Sequence, residues 1–237
     1  MESVRTLPAS GPWPEILSGM RQALPIVLGF VPVGFAYGVL ALKAGLPAIP
    51  AALMSVFVFA GSAQFIAVGL LAVGAPALTV IITTFVVNLR HLLMSAALAP
   101  HLRHWSRPGV AWLCFQLTDE TFAMHASRFA RGETSKAETL AINATAQTAW
   151  VGGSILGILC GGIIGDVRPL GLDFALPAMF LALLAGQVET RPRIATALAS
   201  AAFSLLFLAL GFGQWGVITA CVLGATFGTG VEAWTRN

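Results

Sequence analysis

The sequence predicts an all-α polytopic integral membrane protein of about seven or eight transmembrane helices, some of them discontinuous. Three observations predict it. The 237 residues are 57% hydrophobic and only 10% charged, with a mean hydropathy of +0.84. A soluble domain carries roughly 25% charged residues, so this chain cannot cover a water-facing surface. Apolar runs of spanning length recur along the chain, at roughly 20 residues per crossing. Several of these runs hold Pro, Gly or buried-type polar residues near their middle, as membrane helices do where protein or a cavity satisfies the freed backbone groups. The expected organisation is a short polar lead (1–22), a single transmembrane domain (23–231) and a short tail (232–237).

Taken in order, the lead mixes polar residues with prolines and has no basic segment followed by an apolar run, so a signal peptide is not expected. An interfacial helix fits Pro14–Gln22. The first span, 23–42, is interrupted by Pro25, Gly29, Pro32, Gly34 and Gly38 and reads either as a discontinuous helix or as a kinked continuous one. The second, 51–73, carries Gly61-Ser62-Ala63-Gln64 at mid-depth. A Gly-Ser pair there can open the helix and present N–H groups to an anion. Gln64 then bonds a substrate or a neighbouring helix.

The third span, 79–100, contains Asn88, Arg90 and His91. On a helix Thr84, Asn88, His91 and Ser95 form one stripe. A lone arginine at this depth costs from roughly 2.5 to over 10 kcal/mol, so Arg90 should face a protein interior and a partner. The fourth span, about 109–128, supplies candidate partners in Asp119 and Glu120, with Gln116 and Glu120 expected on one helix face. The alternative puts both carboxylates at an interface. The fifth, 138–164, has a polar stripe of Asn143, Gln147 and Ser154 around Trp150. It also has a small-residue ladder of Ala149, Gly153, Gly157, Gly161 and Gly165, which predicts close helix packing. Spans follow at 173–188, 194–211 and 214–231, the last with a second ladder of Gly216, Ala220, Gly224 and Gly228. These ladders can pack on each other or on another chain.

With eight spans, Arg5, Arg21, Arg128, Arg131, Lys136, Arg191, Arg193 and Arg236 collect on one side. Lys43, Arg103, Arg107 and Arg168 collect on the other. The basic excess places both termini in the cytoplasm, although the basic loop 101–107 then falls on the poorer side. A re-entrant first span would leave seven crossings and separate the termini.

No catalytic signature occurs, so an enzyme is not expected. His91 and His125 lack metal-ligand spacing, no cofactor motif is present, and scattered basic residues argue against nucleic acid. Cys114, Cys160 and Cys221 are odd in number and far apart, which suits packing. What remains is a mid-depth polar set: Gly61, Ser62, Gln64, Asn88, Arg90, His91, Asp119, Glu120, Asn143 and Gln147. Both charge signs and several amides suit a small zwitterion, and a titrating carboxylate can couple transport to protons. A channel or facilitator for a small anion, or a structural subunit of a membrane complex, are the competing classes.

The runs PVGFAYGVLALKAGLP, SVFVFAGSAQF, FVVNLRHLLMSAALAP, LTDETFA and DFALPAMFLALL, in this order, resemble the AzlC (YgaZ-type) family over about Leu24–Leu210. The resemblance implies the large subunit of a bacterial exporter of branched-chain or other hydrophobic amino acids in the inner membrane. It also implies a small AzlD-type membrane subunit as partner. The exact substrate and the coupling ion are not implied by it.

Overall fold

The structure, a computed structural model, describes residues 12–174, 177–178, 181, 184–185, 188 and 190–235. The chain divides into two compact units, Met1–Pro177 and Ala178–Asn237. All regular elements among the described residues are helical. Half of the expected span at 173–188 lies outside the described residues.

The first unit is built on α1 (Trp13–Gln22), α2 (Leu24–Lys43), α3 (Ala48–Phe57), α4 (Gly61–Ala72), α5 (Ala77–Leu98), α6 (Arg107–Phe115), α7 (Asp119–Ala130) and α8 (Lys136–Gly161). A 3-10 turn, Ala99–Leu102, extends α5. At 1.5 Å per residue, α2, α5 and α8 are long enough to cross a bilayer, while α3, α4, α6 and α7 each reach about halfway. Among the described residues α2, α5 with its 3-10 extension, and the second unit's Arg191–Ala209 are both long and apolar enough to span.

α2 is continuous through Pro32. Of the two readings of 23–42 the continuous helix holds, and the discontinuous one does not. Its glycines serve packing instead. A Cβ at Gly34 would meet Trp150 C=O at 2.8 Å, and one at Gly38 would run into the backbone of α8 around Ser154–Ile158. Reciprocally Gly153, Gly157 and Gly161 lie against Val31, Phe35 and Val39. These contacts advance together along both helices, so α2 and α8 run parallel at backbone distance. Gly165 of the expected ladder lies beyond α8, where a Cβ would meet no described residue within 4 Å.

The two stretches expected as the second and fourth spans each reverse direction instead of running through. In 51–73 the helix stops at Phe57 and restarts at Gly61. Tyr37 donates to Ala51 C=O at 3.0 Å while its ring meets that of Phe65 at 5.9 Å. In one straight helix residues 51 and 65 would be about 21 Å apart. Gln64 Nε2 also reaches back to Ser55 Oγ at 3.1 Å. In 109–128 the break is Gln116–Thr118. Asn143 Nδ2 donates to Leu113 C=O at 3.4 Å, and its Oδ1 meets His125 Nε2 at 2.7 Å, so both sides of that break return to one side chain. Gln116 lies outside either helix, and the expected shared face with Glu120 does not exist.

The hairpins enter from opposite ends. α6 runs parallel to α8, because Gly109 faces Lys136, Leu113 faces Asn143 and Gln116 faces Gln147. α7 runs antiparallel to it, with His125 on Asn143 and Arg128 on Glu138. The α6–α7 hairpin therefore opens at the end where α1 lies. α5 runs parallel to α7, with Arg90 on Asp119 and His101, just beyond α5, on Phe129. α5 therefore starts at the far end, and the α3–α4 hairpin, which joins α2 to α5, opens there.

α6, α7 and α8 start 59, 58 and 59 residues after α3, α4 and α5. The same half-helix, half-helix, full-helix unit occurs twice with inverted direction, an arrangement typical of membrane carriers. The basic residues change side accordingly. Lys136 Nζ lies 5.6 Å over Trp105, so loop 101–107 sits with loop 131–135, not opposite it. Arg21, Arg103, Arg107, Arg128, Arg131 and Lys136 share the α1 end, against Lys43 and the Arg168 that follows α8.

The second unit is an antiparallel pair, α9 (Arg191–Ala209) and α10 (Gly213–Thr235), joined through Gly211 at φ +75°. Gly216, Gly224 and Gly228 pack on Phe207, Ser200 and Thr196. Each ladder thus packs on a helix of its own unit.

Candidate functional site

The two hairpin tips meet at the level of Arg90. Each tip has a local cause. At the first, Val58 and Phe59 both donate to Met54 C=O, and Phe59 turns left-handed at φ +43°. A non-glycine residue there costs about 1–3 kcal/mol, held by packing; Phe59 is buried against Phe30. Gly61 follows because a Cβ would lie 2.8 Å from the Trp150 ring. At the second tip Thr118 adopts extended backbone and forms a reciprocal capping box with Thr121, which starts a new helix at Asp119.

Arg90 bridges the two restarted helices. Its Nη2 donates to Ser62 Oγ at 2.5 Å, and its Nη1 lies 2.9 Å from Asp119 Oδ2. The side chains are 26% and 21% exposed, so the pair is reachable. Of the two expected partners, Arg90 takes Asp119; Glu120 is half-buried beside it. α4 has no side-chain cap, and its first backbone bond runs from Gln64 N–H to Ala60 C=O. The N–H groups of Gly61, Ser62 and Ala63 precede that bond and point toward the tip, where the positive ends of α4 and α7 converge. Arg90 Nε, Asn88 Oδ1 and Gln116 Oε1 are buried without a hydrogen-bond partner. The lone Arg90 donor at the charge pair and the lone Gln116 acceptor at the second tip are what a bound polar solute would satisfy.

α8 braces the other side of both tips. Gln147 Nε2 donates to Val56 C=O at 3.0 Å, a carbonyl freed by the first break, and Gln147 Oε1 accepts from Gln116 at 2.7 Å. Gln64 is fully buried, with Oε1 on Trp150 Nε1 at 3.0 Å and Nε2 on Ser55. Ser55 in turn donates to Ser154 at 2.8 Å. Gln64 therefore bonds neighbouring helices, and Asn143 is likewise occupied by His125 and Leu113. Among the described residues His91 bonds the Asn88 carbonyl of its own helix, at 3.2 Å. Of the ten candidate positions, Gly61, Ser62, Arg90, Asp119 and Glu120 lie together at the tips, with Asn88 and His91 on the same helix as Arg90.

Sequence reasoning missed Gln116 as a tip residue and Ser55 and Trp150 as braces. It also missed an ionic knot at the α1 end. Arg128, 1% exposed, pairs with Glu138, which also accepts from Ser18 and Gln22 of α1 at 2.5 Å each. Ser18, Gly19 and Gln22 face α8, while Trp13, Leu17 and Met20 are exposed on an apolar stripe suited to a bilayer surface. Cys114 and Cys160 are free thiols.

Long apolar helices around two opposed half-length hairpins, with an ion pair at the tips, define a polytopic membrane protein with discontinuous helices. The chain belongs to the AzlC family: the profile described as AzlC protein matches residues 25–164, from α2 to just past α8. An uncharacterized membrane protein of Archaeoglobus fulgidus is 32% identical over 87% of this chain and 90% of its own length. The inner membrane protein YgaZ of Escherichia coli is 28% identical, over 81% of this chain and 80% of its own. The branched-chain amino acid transport protein AzlC of Bacillus subtilis is 26% identical, over 88% and 82%. No solved structure matches this chain significantly.

Proposed function

We propose that this protein is a secondary transporter that exports branched-chain or other hydrophobic amino acids across the inner membrane, together with a small AzlD-type subunit. The observation that carries the reading is the Arg90 bridge between Ser62 and Asp119 at the meeting of two opposed hairpins. A zwitterion replaces this bridge charge for charge. Its carboxylate takes Arg90 and the open N–H groups of α4; its ammonium takes Asp119 and the lone Gln116 Oε1. Glu120, next to Asp119, is the candidate for proton coupling. The named relative in Bacillus subtilis supports the substrate class, and family resemblance supports the partner. The basic excess at the α1 end supports a cytoplasmic position for that end and for the N-terminus; a cytoplasmic C-terminus remains part of the proposal.

The test is counterflow of labelled leucine in proteoliposomes holding this chain and its small partner, with valine, lysine and chloride as competitors. Saturable exchange blocked by valine and not by lysine supports the reading. Non-saturating chloride-sensitive flux would instead support an anion facilitator. In the Arg90→Gln variant exchange falls about 30-fold or more, because the substrate carboxylate loses its charged anchor and a charge-assisted bond in a largely buried site contributes about 2 kcal/mol. Normal exchange in a folded variant would make Arg90 structural only.

A further inference from the structure

The polar stripes of α5 and α8 are the same stripe in the two inverted units. Thr84, Asn88, His91 and Ser95 recur, 59 residues on, as Asn143, Gln147, Trp150 and Ser154, and the helices carrying them start 59 residues apart. Their engagement differs. On α8, Asn143, Trp150 and Ser154 each bond one of the two hairpins, and Gln147 bonds both. On α5, Thr84 donates to Val80 C=O at 2.7 Å and His91 meets Asn88 C=O, so both bonds stay within the helix. Asn88, the counterpart of Gln147, has its Oδ1 buried and without a partner.

Among the described residues α5 bonds the hairpins through Arg90 and not through this stripe. When one of two pseudo-equivalent stripes is engaged and the other is not, exchanging their roles generates a second conformation of similar energy. We propose that Asn88 and Gln147 are opposed clasps: Gln147 holds the hairpins in the state described here, and Asn88 holds them in the oppositely opened state. Both are positioning residues, acting on substrate through the hairpins. The inference rests on the transporter reading for its purpose. A buried amide oxygen left without a donor costs stability, and that cost is recovered when the hairpins shift onto α5. A groove of about 580 Å³, lined by Val56, Phe57, Trp112, Phe115 and Gln147 among others, lies along the Gln147 side, between the incoming halves of both hairpins. It is the space whose width should change.

The test needs no substrate. Nitroxides are placed at Phe57→Cys and Phe115→Cys, across the groove, in full-length protein whose native cysteines are replaced by alanine. The distance distribution is read by pulsed electron resonance. Gln147→Met should move the ratio of wide to narrow populations up about tenfold, and Asn88→Leu down by about as much. The double variant should return to within about threefold of the starting ratio. Asn88→Ala repeats the arm should the leucine variant fail to fold. Shifts in the same direction, or none from Gln147→Met, would overturn the proposal. Failure of wild-type leucine counterflow would sink the transport reading yet leave this distance result standing.

Discussion

Arg90 owes its place to being shared. A guanidinium presents a fixed fork, and here two of its nitrogens reach different hairpins. A lysine keeps the charge but offers a single point. Arg90→Lys should therefore insert and fold yet lose about tenfold in exchange, through a raised half-saturation concentration as well as a lower maximal rate, since one of two anchoring bonds is gone. Counterflow at varied leucine concentration checks it; an unchanged concentration dependence would contradict it. Arg128 is a different kind of buried cation, tied to Glu138 at the α1 end. Removing its partner by Glu138→Ala leaves Arg128 only Glu133, at 3.6 Å, and should cost about 3–5 kcal/mol. Thermal unfolding in detergent would show it as a large drop; a shift of a degree or so would mean the knot contributes little.

At the scale of elements, helix packing was legible in the sequence and chain reversal was not. The ladder Gly153, Gly157, Gly161 predicted close approach, and a Cβ at Gly157 would indeed run into Phe35 C=O. Gly157→Val should separate α2 from α8 and destabilise the first unit by about 1–3 kcal/mol or prevent its assembly. Gly152→Val, with open space at its Cβ, should be near neutral on the same unfolding curve. Equal effects would show that the ladder is not the contact. The stripe on α5 was also readable, since its period depends only on helix geometry. The two reversals were hidden because hydropathy and period report burial and local winding, and neither changes sign when a buried helix turns back. One signal existed. Thr118 followed by Asp119, Glu120 and Thr121 has the chemistry of a helix start, misread as mid-helix because the flanking residues are apolar. Another was the spacing of helix starts: the N-caps Pro47, Pro76, Ser106 and Ser135 fall at nearly equal intervals. Gln64 and Asn143 were read as possible substrate groups for want of their true partners, Ser55, Trp150 and His125, which only the folded hairpins bring near.

For the whole molecule, the reversal of both hairpins decides which loops share a side, and with it the reading of a mid-depth site reached from two ends. It also moves the basic loop: Arg103 and Arg107 join Arg128, Arg131 and Lys136 at the α1 end, which supports the proposed cytoplasmic position of that end. Single cysteines at Lys43, Val73, His104 and Glu133, in a background without native cysteines, report this directly through an impermeant maleimide applied to intact cells and to inverted vesicles. If α3–α4 and α6–α7 turn back, positions 43 and 73 label from one side, and 104 and 133 from the other. If both pairs ran straight through the bilayer, 43 would label with 104 and 73 with 133, and the opposed-hairpin account would be wrong.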